Sequence, residues 1–276
     1  MPQALNIVLA QLSPRLRQTE ANTETIERVI AGHPEADLAV FPELFLSGYT
    51  TVGLEDLAVD PEGPEVERVA GAARDNSTAV IVGVPECFGG GYANSAVYIG
   101  RNGTVAGVYR KTHQFGSERD AYIPGDDLLV VDLEGLRMGL MICFDVEFPE
   151  VARALARAGA DLLVTISANM EPFGRDHHMF IMARALENGL AHAYVNQIGR
   201  GEEFTFTGGT MAVSADGDLL AEAGLTEEVL ALKLQIPAKS SVRPDYLEQV
   251  RPPLPVTGET VPPSANVPPS RNNPET

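Results

Sequence analysis

The sequence predicts a layered α/β domain built on a mixed sheet. Short apolar runs of strand length alternate with stretches of helical period, and hairpin pairs interrupt the alternation. The pattern also has an end. Beyond about Lys239 the apolar period stops, and 251–276 holds 8 of the chain's 20 prolines, a composition that cannot build a core. The expected division is a domain over 1–240 and a C-terminal arm with a Pro-rich tail over 241–276.

Taken in order, Ala4–Ala10 reads as a buried strand and Arg15–Ala31 as a helix with Ile26, Val29 and Ile30 on one face. Asp37–Phe41 is a short strand ending in Pro42-Glu43, and Glu65–Arg74 a second helix with Val66, Val69 and Ala73 aligned. Thr78–Val84 is a strong strand. Tyr92–Ile99 and Thr104–Tyr109 form a hairpin about Arg101-Asn102-Gly103, and Leu128–Leu133 pairs with Leu136–Ile142 about Glu134-Gly135. A helix starts at Pro149, and Asp161–Ile166 is again a buried strand. Arg175–Leu190 is the clearest helix, and its stripe of Met179, Met182, Ala183, Leu186 and Leu190 is expected to face the core. His192–Asn196, Gly209–Ser214, Leu219–Ala223 and Val229–Leu234 supply further strands, the last three as an expected antiparallel run.

Composition excludes several function classes. The net charge of −18 argues against nucleic acid or an anionic membrane as partner, since both select basic surface. No apolar run approaches the ~18–20 residues of a membrane span, and the N-terminus lacks the basic region and cleavage site of a signal peptide. The two cysteines, Cys87 and Cys143, are too few for a disulfide framework, so a reducing cytoplasm is the expected setting. Cys87 reads as structural.

The chemistry centres on 137–150, RMGLMICFDVEFPE. An apolar run stops at Cys143 and a Pro-led helix start follows, which puts a thiol at the carboxyl edge of a sheet, where α/β folds hold ligands. Nearby helix N-termini are expected to favour its thiolate. Glu43 and Lys111 also stand just beyond strands. If the three strands lie in one sheet and point the same way, a carboxylate base, an ammonium and a thiol nucleophile meet at one edge, a set suited to acyl transfer. A Cys–His arrangement competes, with His113, His177, His178 and His192 as available bases. His177 and His178 with no other spaced ligand make a poor metal signature. No metal or cofactor is expected.

Three blocks in order then identify a resemblance: Phe41-Pro42-Glu43-Leu44 with Gly48-Tyr49, Tyr109-Arg110-Lys111-Thr112-His113, and Cys143-Phe144-Asp145 with Phe148-Pro149-Glu150. Over about 5–234 the chain resembles the carbon–nitrogen hydrolase (nitrilase) superfamily. The resemblance implies a four-layer αββα sandwich with two mixed sheets and a Glu–Lys–Cys triad. Glu43 would then be general base, Lys111 electrophilic stabiliser and Cys143 nucleophile. Glu118, counted back from Pro124-Gly125, would be the second glutamate, with Asp120 close by. The Lys111 ammonium and the Phe144 N–H would hold the oxyanion. The implied reaction is hydrolysis of a small-molecule carboxamide to acid and ammonia through a Cys143 thioester.

Asn169 and Met170 resemble the family's substrate-lining segment, and Tyr49, Phe173 and Glu147 are further expected substrate contacts. Gln114 and Glu147 depart from the residues common in relatives, Leu and Arg. An acidic Glu147 fits poorly with a substrate carboxylate, which puts simple aliphatic or aromatic amides ahead of dicarboxylate monoamides and N-carbamoyl amino acids. Nitrile, N-carbamoyl and omega-amide hydrolysis stay open within the superfamily, and a catalytically silent binding protein on the same fold stays open outside it. Relatives assemble as dimers or larger, so a homodimer or higher homo-oligomer is expected, with 241–251 as an arm reaching across.

Overall fold

The computed structural model describes residues 3–236 and 246–251. In order the elements are β1 (Gln3–Gln11), α1 (Thr19–Ala31), β2 (Leu38–Val40), α2 (Pro64–Asn76), β3 (Ala79–Phe88), β4 (Gly91–Ile99), β5 (Val105–Arg110), α3 (Glu118–Ala121), β6 (Val130–Leu133) and β7 (Leu136–Ile142). There follow α4 (Pro149–Arg157), β8 (Leu162–Ser167), α5 (Gly174–Asn188), β9 (Ala191–Asn196), β10 (Ile198–Arg200), β11 (Thr205–Thr207), β12 (Met211–Val213), β13 (Leu219–Glu222), β14 (Glu228–Ile236) and α6 (Tyr246–Gln249).

Two six-stranded sheets result, in the orders β14-β1-β2-β3-β4-β5 and β13-β12-β9-β8-β7-β6. Both are mixed: β1, β2 and β3 run parallel, as do β7, β8 and β9, and the outer pairings are antiparallel. The period-2 alternation of strand side chains decides the layers. Ile7 and Leu9 of β1 meet Met138, Leu140 and Ile142 of β7 between the sheets. Val8 and Ala10 point the other way, onto Ile26, Val29 and Ile30 of α1 and Val66 and Val69 of α2. On the far side Met141 and Leu163 pack against Val151 and Leu155 of α4 and Ile181 and Ala185 of α5. The four-layer αββα sandwich is thus built from two helix–sheet halves joined by a common apolar layer.

Several sequence expectations are corrected. The first helix begins at Thr19, not Arg15, because Arg17 turns into the left-handed region (φ 59°) and its N–H donates to Ser47 O at 2.6 Å. Asn22 exchanges hydrogen bonds with the backbone of Arg15 and fixes that loop. β14 does not extend the β12–β13 run. It leaves that sheet and pairs antiparallel along the whole of β1, from Gln3 opposite Ile236 to Gln11 opposite Glu228. The short β10–β11 hairpin carries no sequence period and was not expected.

The apolar stripe of α5 does not form its buried face, which consists of His177, Ile181, Arg184, Ala185 and Asn188. Polar residues take the inner positions because they have partners there: Arg184 donates to the carbonyls of Val146 and Glu147, and His177 bonds Tyr194. Met182 packs at the core margin, while Met179 is 55% exposed. The expected boundary near 240, residues 241–245 of the arm and the tail 252–276 lie outside the described residues. No helix of the described residues is long and apolar enough to cross a membrane.

One glycine holds the first sheet close to the segment bearing Glu43. A Cβ on Gly83 of β3 would lie 2.4 Å from both Leu44 N and Pro42 O and 2.6 Å from Glu43 Cα. Gly83→Ala is expected to lower stability by about 1–3 kcal/mol, the usual penalty for overpacking, and to push Glu43 out of place. A urea midpoint that drops at constant m-value checks the first part.

Candidate active site

Three strand ends deliver the reactive side chains. β2 and β5 point the same way in the first sheet and are followed by Glu43 and Lys111. β7, which leads into Cys143, belongs to the second sheet. The expectation of one shared sheet is therefore corrected: the residues converge across the gap between two sheets. That gap is dry, and Glu43 and Lys111 have no exposed surface while Cys143 retains 7%.

The turn at Cys143 is sharp. Its φ of 47° lies in the left-handed region that non-glycine residues seldom adopt, and a short 3-10 turn, Cys143–Glu147, begins there. Asp145 offsets this conformation with five polar contacts, one of them His113 Nδ1 at 3.0 Å from its Oδ1. Its Oδ2 accepts from Ile142 N (3.0 Å) and Tyr109 OH (2.7 Å), and its Oδ1 from Thr112 Oγ1 (2.8 Å) and His113 N (3.0 Å). One buried carboxylate thus ties the turn bearing Cys143 to the segment bearing Lys111.

The Lys111 ammonium sits between two carboxylates, donating to Glu43 Oε1 at 2.7 Å and to Glu118 at 2.9 and 2.8 Å. The carboxylates are held in turn. Glu43 also accepts from Asn94 Nδ2 and Ala168 N, each at 2.7 Å; Glu118 accepts from Tyr49 OH (2.9 Å) and Phe115 N (2.8 Å). Burial alone would lower the Lys111 pKa, but Glu118, Glu43 and the nearby Cys143 outweigh it and hold the ammonium charged. Glu43 moves the other way from an ordinary carboxylate. Burial raises its pKa, the Lys111 charge opposes, and the Glu118 charge adds to the rise. It is a carboxylate poised to take a proton.

Cys143 differs from the thiolate expected of a helix N-terminus. Burial, then the charge of Glu43, pushes its pKa up, and Lys111 and a Ser167 hydrogen bond only partly offset them. The raised pKa favours the neutral thiol of Cys143 over the thiolate.

A narrow cleft of about 10 Å³, room for hardly one water, opens on Cys143, far below the volume of ordinary ligand pockets. Phe115, Phe144, Glu147, Asn169, Met170, Phe173 and His177 line it; Phe115 and His177 had no assigned place there in the sequence reading. The buried Asn169 Nδ2 lacks a well-formed partner among the described residues and is available as a donor to a bound molecule. Tyr49 is not among the lining residues. Its hydroxyl supports Glu118 and its ring packs edge-on to Phe204 and Phe206.

Of the two acidic residues in this loop, Glu118 is fully buried and bonded to Lys111, whereas Asp120 is exposed. Gln114 does not reach the cleft and instead donates to Lys111 O at 2.9 Å. Asn94, Ala168 and Asp145 were also missed. Asp145 stood inside a quoted motif, whereas Asn94 lies mid-strand with no signal of its own.

The Cys–His alternative finds no support in the contacts of the four candidate bases. His113 stacks on Phe148 and bonds Asp145, His177 bonds Tyr194, His178 faces Glu222, and His192 bonds Thr165. Among the described residues no three His, Cys, Asp or Glu side chains gather as a metal site.

Comparison with known proteins agrees with this geometry. The family model for carbon-nitrogen hydrolase matches residues 6–243. An (R)-stereoselective amidase from Pseudomonas sp. is 38% identical over 88% of this chain and 89% of its own, and a nitrilase from Pyrococcus abyssi is 32% identical over 81% and 87%. The crystal structure of an amidase from Nesterenkonia sp. superposes with a TM-score of 0.80 at 30% identity, covering 90% of this chain and 93% of that one. A Glu-to-Gln variant of that amidase carries the acetamide moiety of fluoroacetamide on its active-site cysteine. With the matched model spanning both sheets and all three strand ends, the chain belongs to the carbon–nitrogen hydrolase family.

Proposed function

We propose that the protein is an amidase that hydrolyses small carboxamides to acid and ammonia. The observation that carries this reading is the fully buried Lys111, bonded to both Glu43 and Glu118 beside the strained Cys143. The relatives support it, since structures of the Nesterenkonia amidase include complexes with butyramide and acrylamide.

The proposed steps keep the charge of the buried site constant. Glu43 takes the Cys143 proton as the sulfur attacks the amide carbon, and the Lys111 ammonium and Phe144 N–H receive the oxyanion. The C–N bond breaks as Glu43 returns the proton to the leaving nitrogen, so ammonia departs and a thioester remains. Water then gives a proton to Glu43 and attacks the thioester carbonyl. The C–S bond breaks, the acid leaves, and the thiol is restored. Phe115, Phe144, Met170 and Phe173 give the acyl group an apolar wall, and Glu147 disfavours an anionic one. The nitrilase from Pyrococcus abyssi keeps nitriles as the second reading.

Two further proposals concern setting. The two cysteines are unpaired, in keeping with a reducing cytoplasm. The apolar flank of α5 with Met179, and Leu225 at 88% exposure, fits burial against a second copy of the chain. Light scattering is expected to give at least twice the 29.5 kDa chain mass; a mass of one chain refutes the dimer.

Ammonia release across short amides, nitriles and N-carbamoyl compounds tests the reaction. Release from an amide that vanishes in Cys143→Ala is expected, with kcat falling about 10²–10⁴-fold in Glu43→Gln. Release from nitriles alone sinks the amidase reading. Because Glu43 must be ionised and its pKa is raised, kcat/KM is expected to fall on acidification at a pH above the ordinary glutamate value of about 4.3. A profile flat down to that value contradicts the role of Glu43.

A further inference from the structure

Three buried polar groups near Cys143 play no part in the steps above: Ser167, Tyr194 and His177. Ser167 ends β8, and the register that sets Ile142 against Ile166 makes Cys143 and Ser167 the next neighbours across the β7–β8 pair. A serine hydroxyl has two lone pairs and one proton. Both acceptor positions are filled, by Asn169 N at 3.1 Å and by Tyr194 OH at 3.2 Å. The single proton is left free to turn toward the neighbouring Cys143 sulfur, where a hydrogen bond from Ser167 lowers the thiol pKa.

The same accounting fixes the next link. Tyr194 has one hydroxyl proton and gives it to Ser167, so the His177 Nδ1 that lies 3.0 Å from its oxygen must be the donor. Glu147 Oε1 stands 3.4 Å from the opposite ring nitrogen, and Arg184 pins the backbone of Glu147 at 2.9 Å. Ser167, Tyr194 and His177 are 0%, 1% and 2% exposed, so no solvent competes for these bonds.

We propose that His177 and Tyr194 are positioning residues of the proposed amidase site. Through a one-directional chain, His177 Nδ1–H to Tyr194 O–H to Ser167 O–H, they aim a proton at the Cys143 sulfur and steady its thiolate during attack. This opposes the burial and the Glu43 charge that raise the Cys143 pKa. It also explains why α5 turns a histidine, and not its methionines, toward the sheet.

The test uses alkylation of Cys143 by iodoacetamide in the full chain, read by peptide mass, with exposed Cys87 as internal reference. It needs no substrate turnover, so the chain of bonds stands or falls separately from the amidase reading. Removing a hydrogen bond to a charged group is expected to slow Cys143 alkylation roughly 10–100-fold in Ser167→Ala and Tyr194→Phe, with Cys87 unchanged. On an amide that the wild type hydrolyses, kcat falls by a similar factor in these two variants while KM stays within about threefold, because Ser167 and Tyr194 do not line the cleft. His177→Asn, whose amide can donate from the Nδ1 position, is expected to alkylate several-fold faster than His177→Phe. Melting temperature is recorded for each variant; if Tyr194→Phe fails to fold, Ser167→Ala decides alone. Wild-type alkylation rates in Ser167→Ala, or equal rates in His177→Asn and His177→Phe, overturn the proposal.

Discussion

The structure depends on one buried cation. An ammonium taken out of water is costly unless it is paired and fully hydrogen-bonded, and Lys111 meets both conditions with Glu43 and Glu118. Its partners import further demands. Asn94, Ala168, Tyr49 and Phe115 must all present donors to the two carboxylates, which calls on both sheets and the loop leading into α3. Removing one member of such a cluster typically costs about 3–5 kcal/mol, because the others are left buried and unpaired. The site and the sandwich around it are therefore mutually dependent.

The arithmetic of charge also shapes the reactivity. Two carboxylates and one ammonium leave a net negative site; burial raises Glu43 and Cys143 together, and the neighbouring carboxylate charges add to the rise. Proton transfer from sulfur to Glu43 moves the negative charge without adding to it. A dry site tolerates such a transfer more readily than it tolerates a change in total charge.

Much of this was legible in the sequence because it rests on local pattern. Strands ending at Glu43, Lys111 and Cys143 announce themselves through short apolar runs, whereas Glu118 was expected only from the family resemblance, counted back from Pro124-Gly125. What escaped depends on tertiary context. Nothing in Val229–Leu234 distinguishes a continuation of the β12–β13 run from a partner for β1, since strand period records a face and not a neighbour. The α5 stripe misled because helical periodicity ranks apolar residues inward by default, whereas His177 and Arg184 are drawn in by acceptors on other segments. Gly83 looks like an ordinary strand residue until Pro42 and Leu44 are seen lying on it.

The conformation and burial of Cys143 carry a consequence beyond turnover. Oxidants and electrophiles attack thiolates far faster than thiols, and here burial raises the Cys143 pKa and disfavours its thiolate. Burial thus sets the Cys143 thiol apart from Cys87, which is exposed to oxidants in solution. Chemical durability between turnovers is built into the same burial that makes the nucleophile hard to ionise.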